Sequence, residues 1–169
     1  MRGSTSIAEK IGPVAFATLL NRFYDVATKA LIPNRAVVDK MIGDEVMAFF
    51  VPAMKKHMQD AAVDSALKIL KGVGYGTDSE PWLPVGIGIN HGNAYVGKVG
   101  TGDVNDFTAL GDTVNTAARL QSEAKAGQIV VSESVYTEIS MKFPGVPVQQ
   151  IDVRGKEDKF GVHVITPFE

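Results

Sequence analysis

No cysteine occurs among the 169 residues, which excludes disulfides, thiolate-held metals and thiol nucleophiles. Net charge is almost absent too: 17 Lys and Arg against 19 Asp and Glu leave −2, too little to recruit nucleic acid or an anionic membrane. No apolar run approaches the roughly 18 residues of a membrane span, and no leader-like segment is visible, so a cytoplasmic location without membrane contact from this segment is expected. Histidine is scarce. The three present, His57, His91 and His163, are scattered without metal-ligand spacing and read as structural or surface groups. No internal repeat or low-complexity tract occurs. What is there, 45% hydrophobic and 21% charged residues, is the balance of an ordinary globular chain long enough to bury one core. One domain over residues 1–169 is therefore expected.

Two segments carry the chemistry. In the first, the apolar run Ala36-Val37-Val38 and the run Val46 to Val51 flank Asp39-Lys40-Met41-Ile42-Gly43-Asp44-Glu45. Two short strands and a tight connection containing glycine predict a hairpin with Asp44 at its end. A carboxylate fixed there suits a hard divalent cation that also takes phosphate oxygens, although Gly-Asp by itself is an ordinary turn dipeptide. In the second, a strand or loop ends at Gly111 and a helix follows through Val114 to Leu120. Asn115 and Arg119 are four apart, on one helix face. An amide and a planar guanidinium can then converge on one anionic group; a solvated helix face is the plainer alternative. The start of a helix at Gly3-Ser4-Thr5 would offer free backbone amides to phosphate, and Ser and Thr are equally good caps.

Together, Lys40-x-x-Gly43-Asp44-Glu45 and Phe107-Thr108-x-x-Gly111-Asp112-x-Val114-Asn115-x-Ala117-x-Arg119 resemble the catalytic domain of class III nucleotidyl cyclases, the adenylyl and guanylyl cyclase family. Arg2-Gly3-Ser4-Thr5-Ser6, Val85 to Gly100 and Asp152-Val153-Arg154-Gly155-Lys156 resemble further motifs of that family in the right order. The resemblance implies an α+β fold with a ferredoxin-like βαββαβ core and additional C-terminal strands and helices. It also implies two ions, Mg2+ or Mn2+, one of them on Asp44, and base reading by Lys40 and Thr108. Asn115 would orient the ribose and Arg119 would stabilise the pentavalent phosphorus. Gly3, Ser4 and Thr5 would seat phosphates, and Lys156 or Arg154 would contact the triphosphate, the register between them open.

Lysine with threonine implies ATP, because Lys only donates while a Thr hydroxyl can accept from the adenine amine. Guanine would leave donors or acceptors unpaired at about 1–3 kcal/mol each, roughly ten- to a hundredfold in preference. The implied reaction is attack of the ribose 3′-oxygen on the α-phosphate, giving cyclic AMP and pyrophosphate. The implied partner is a second copy, head to tail, with the metal carboxylates from one subunit and the equivalents of Lys40, Thr108, Asn115 and Arg119 from the other. Regulatory domains in a longer protein are compatible with this.

One departure stands out. The family's first metal aspartate would fall one position before Met1, outside this sequence, together with the first strand. Only the backbone carbonyl of Met1 remains there as a neutral ligand, so slow turnover is expected of the chain as it stands. Two alternatives stay open: a silent homologue serving nucleotide binding or dimerisation, and a diguanylate cyclase, which Ile42 to Val46 resembles faintly.

Elsewhere, Ser6 to Glu9 reads as a capping box opening a helix that stops at Gly12-Pro13. Val14 to Leu31 and Lys55 to Val73 have helical periodicity. Trp82 to Ile89 and Ala94 to Val99 are expected to be strands around a turn at Asn90 to Asn93, with Gly92 at positive φ. Gly100 to Asp106 reads as an exposed loop. A strand over 129–131, a helix over 132–141 and a strand pair over 149–154 and 163–166 complete the expectation.

Overall fold

The computed structural model describes residues 1–54, 57–101, 104–152 and 159–168. The chain divides into two compact units, Met1–Gly86 with 125–128 and 166–169, and Ile87–Ala124 with 129–165.

In the first unit, helix α1 (Ser4–Ile11) leads into α2 (Pro13–Leu31), a 3-10 turn (Ile32–Asn34), the hairpin β1 (Val37–Ile42) and β2 (Glu45–Phe49), and α3 (Met58–Gly72). Pro13 opens α2 at its first turn, where its missing N–H costs nothing and its fixed φ is already helical. The periodic face of α2 buries Phe23, Ala27, Ala30 and Leu31. Ala61, Val63, Ala66, Ile69 and Leu70 of α3 join this core, with Val73, Leu83 and Val85 from the segment that follows. Arg22 stacks on Trp82, 3.8 Å from the ring centroid, and the indole nitrogen donates to the Gly72 carbonyl. The expected capping box at Ser6 is not formed. Helix α1 starts three residues earlier, with Gly3 as N-cap in the left-handed region and no side-chain cap.

The second unit holds a four-stranded sheet in the order β3-β6-β8-β7, made of β3 (Ile87–Ile89), β6 (Ile129–Ser132), β8 (Phe160–Ile165) and β7 (Val148–Ile151). Strands β3 and β6 run parallel; the other pairs are antiparallel. Helix α4 (Asp112–Glu123) buries Leu120 beside Ala124, Val130 and Val162, and α5 (Glu133–Ile139) follows β6 directly. A separate hairpin joins β4 (Tyr95–Thr101) to β5 (Val104–Leu110).

These pairings revise the sequence reading. The segment before Asn90 forms only the three-residue β3, and it pairs with β6 instead of β4. Of the span expected to be a loop, Gly100 and Thr101 belong to β4 and Val104 to Asp106 belong to β5. Gly92 has no positive φ; a Cβ there would meet Thr113 Oγ1 at 2.8 Å, so its role is steric. The alternation of helices and mixed strands is α+β, as expected.

Candidate active site

The hairpin of the first unit is built by its turn. Ile42 pairs with Glu45, leaving Gly43 and Asp44 as a two-residue loop. Gly43 has φ 56 while Asp44 is not among the positive-φ residues, the pattern of a type II′ turn, whose first central position requires glycine. Asp44 is thereby fixed at the tip, its side chain about a third exposed (36%). The Met1 nitrogen lies 3.0 Å from the Asp44 carbonyl and 3.5 Å from its carboxylate. Burial lowers the pKa of that amine more than the neighbouring Asp44 charge raises it.

A bulge aims Lys40. Val38 pairs with Ala48 but Lys40 pairs with Met47, so Asp39 is the extra residue. Ala48 and Met47 point to opposite faces of β2. Lys40 therefore shares a face with Val37, Met47 and Phe49, and not with Val38 as strict alternation would dictate. It is half-buried there. In the same unit, the N-terminus of α1 begins at Gly3 (φ 65), and Ile7 N–H is the first to bond back, to the Gly3 carbonyl. The amides of Ser4 and Thr5 are left without intrahelical acceptors, in keeping with a phosphate seat.

In the second unit, Thr108 lies on β5 opposite Gly97 and is 3% exposed. Its hydroxyl donates to the Ala109 carbonyl at 3.5 Å. Three residues further, Gly111 caps α4 with its carbonyl, accepting from Val114 and Asn115 N–H. Asn115 is exposed and Arg119 half-buried, one turn apart on the same helix face.

Sequence reasoning missed what holds α4 in place. A Cβ on Gly88 would come within 2.1 Å of Gln121 N and 2.5 Å of Ala117 O, so β3 touches the helix backbone directly. A glycine inside a strand is the signal for such an approach. Asn90 donates to the Thr113 carbonyl at 3.0 Å and the Thr113 hydroxyl bonds the Asn93 carbonyl, pinning the first turn of α4. Lys40, Asp44, Met1 and the Gly3-Ser4-Thr5 turn thus belong to the first unit, and Thr108, Asn115 and Arg119 to the second. Arg154 and Lys156 lie outside the described residues.

The donor set at the hairpin tip suits a hard cation: a carboxylate on a rigid turn, partly open to solvent. Mg2+ is commonly held by one or two carboxylates and completes its shell with water and substrate phosphates. Among the described residues no group of three His, Cys, Asp or Glu side chains forms an all-protein metal cage.

Residues 1–166 match the family model for the adenylate and guanylate cyclase catalytic domain. An adenylate cyclase of Anabaena cylindrica is 28% identical over 180 residues, covering 98% of this chain but 35% of the relative, so the chain spans about a third of that protein's length. The crystal structure of the adenylyl cyclase CyaB from P. aeruginosa superposes with a TM-score of 0.82 at 28% identity, covering 97% of this chain and 89% of that one. The guanylate cyclase domain of RhGC from Catenaria anguillulae, solved in complex with GTP, superposes at 0.80 with 25% identity, covering 99% and 92%. The match over almost its whole length, on the same fold that carries the Gly43-Asp44 turn and the Asn115/Arg119 helix, makes this chain a member of the class III adenylate and guanylate cyclase catalytic domain family.

Proposed function

We propose that the chain is an adenylyl cyclase catalytic domain, converting ATP to cyclic AMP and pyrophosphate at the interface of a head-to-tail homodimer. The pairing of Lys40 with Thr108 carries the choice of ATP. Both positions are withdrawn from water, Lys40 half-buried and Thr108 3% exposed, so a base with the wrong donor and acceptor pattern leaves groups unpaired where water cannot repair the loss. Asp44 holds a divalent cation, Mg2+ or Mn2+, at the hairpin tip. Two such ions, when bound, would supply charge neutralisation at the attacking and leaving oxygens. Asn115 orients the ribose so that its 3′-oxygen faces the α-phosphate. Arg119 donates to the equatorial oxygens as charge builds on them, and its fork of donors matches their geometry. The amides at Gly3, Ser4 and Thr5 receive phosphate oxygens, and Lys156 or Arg154 draws the leaving pyrophosphate. The copy that supplies Asp44 is not the copy that supplies Lys40, Thr108, Asn115 and Arg119, so a monomer is silent and association is the natural point of control.

The test is an assay of the purified chain with Mn2+ and either ATP or GTP, run across a concentration series. Cyclic AMP from ATP, with a rate per subunit that rises on dimerisation, is expected. Cyclic GMP as the main product, or a dinucleotide from GTP, overturns the assignment. The second reading is a nucleotide-binding and dimerisation module without turnover. It predicts dimerisation and ATP binding with no product at any metal concentration.

A further inference from the structure

The Gly43-Asp44 turn is tied to a helix that plays no part in the chemistry described so far. The hydroxyl of Tyr24, on α2, donates to the Gly43 carbonyl at 2.5 Å, across 19 residues of sequence. That carbonyl belongs to the central peptide of the turn, which takes no part in the strand ladder. Type II′ and type I′ turns differ chiefly by a flip of this one peptide, which carries the second central residue from negative to positive φ. Aspartate is among the residues that tolerate positive φ, so sequence alone leaves both forms open to Asp44. The observed form is II′, and the flip would carry the Gly43 oxygen away from the Tyr24 hydroxyl.

The anchor is firm. On α2 the neighbours Phe23 and Ala27 are buried, the Phe23 ring sits 6.2 Å from the Tyr24 ring, and the Thr28 hydroxyl bonds the Tyr24 carbonyl at 2.8 Å. We infer that Tyr24 is a positioning residue: its hydroxyl locks the Gly43-Asp44 peptide in the II′ state, sets the direction of the Asp44 carboxylate, and so tunes the affinity of that carboxylate for a divalent cation. The second half of this statement rests on Asp44 being a metal ligand; the first half does not.

Two measurements on the whole chain separate them. Tyr24→Phe removes only the hydroxyl. By NMR of labelled protein without metal, the intraresidue HN–Hα NOE of Asp44, strong only at positive φ, reports its state: a strengthened NOE is expected in Tyr24→Phe, and an unchanged NOE overturns the lock. By electron paramagnetic resonance, free Mn2+ is titrated in the presence of a non-hydrolysable ATP analogue. A roughly three- to tenfold weaker Mn2+ affinity is expected for Tyr24→Phe, the worth of one ordinary hydrogen bond, against loss of that binding in Asp44→Asn. Wild-type affinity in Tyr24→Phe alongside loss in Asp44→Asn overturns the Tyr24 proposal alone. Equal affinity in wild type and Asp44→Asn overturns the metal role of Asp44, and the tuning with it. Tyr136→Phe, which in the other unit removes a hydroxyl that donates to the Phe143 carbonyl and accepts from the Val146 N–H, is the control and leaves Mn2+ affinity unchanged. Should Tyr24→Phe fold poorly, Tyr24→Leu lacks the same donor and takes its place.

Discussion

The β1–β2 hairpin and helix α4 present their chemical groups by opposite means. The hairpin relies on backbone conformation: a II′ turn, a one-residue bulge and hydrogen bonds to turn carbonyls aim Asp44 and Lys40. Helix α4 presents Asn115 and Arg119 by rigid geometry, four residues apart, and relies on hard contact with β3 through Gly88 to fix where the whole helix sits. Hydrogen bonds of the first kind are each worth about 0.5–1.5 kcal/mol and bend gradually. Steric contacts of the second kind fail abruptly, because close-packed backbone has nowhere to go. The first arrangement can be tuned, and the second is closer to all or none.

The largest effect should come from α4 itself. Arg119→Ala is expected to lower kcat by about a hundred- to a thousandfold, the usual cost of removing one donor to a transition state, with nucleotide affinity much less affected; single-turnover and binding measurements together check this. Next comes the support beneath that helix. Gly88→Ala forces a methyl against backbone atoms of Gln121 and Ala117, and a loss of about 1–3 kcal/mol or more in urea unfolding is expected, with activity falling in step. If Gly88→Ala were neutral, the contrast between the two regions would collapse.

On the hairpin, Gly43→Ala places a Cβ at φ 56, where nothing lies within 4 Å to clash, so only the backbone strain of a non-glycine residue, about 1–3 kcal/mol, is incurred. Urea unfolding should therefore show a smaller loss than for Gly88→Ala. The smallest effect is expected outside both regions. Burial raises the Tyr75 phenol above its ordinary pKa, more than its bond to the Val85 backbone lowers it. Above pH 10 the unfolded chain releases this proton while the folded chain retains it, so stability falls as pH rises from 10 to the folded value. Tyr75→Phe should flatten that part of the stability curve, while below pH 10 it shifts the curve without changing its slope; an unchanged slope above pH 10 would refute the assignment.

The hairpin was legible because its signals are local. Val37-Val38, Gly43 and the run from Val46 lie within one short span, and a tight turn follows from glycine's conformational freedom. Helix α4 was legible for a related reason, since apolar periodicity and the four-residue spacing of Asn115 and Arg119 need no distant partner. The capping box at Ser6 misled because the good capping residues Ser4, Thr5 and Ser6 follow one another, and only the observed conformation of Gly3 decides where the helix opens.

Residue order alone thus settled the α+β character, the turn bearing Asp44, and the helix face shared by Asn115 and Arg119, all properties of bonds between near neighbours. Only the tertiary structure decided that β3 pairs with β6 across some forty residues, that β4 finds its partner in β5, that a bulge turns Lys40 to the face of Val37, and that Tyr24 reaches Gly43. Each of these joins groups far apart in the chain or depends on register. A side-chain period of two leaves such choices degenerate until packing selects one.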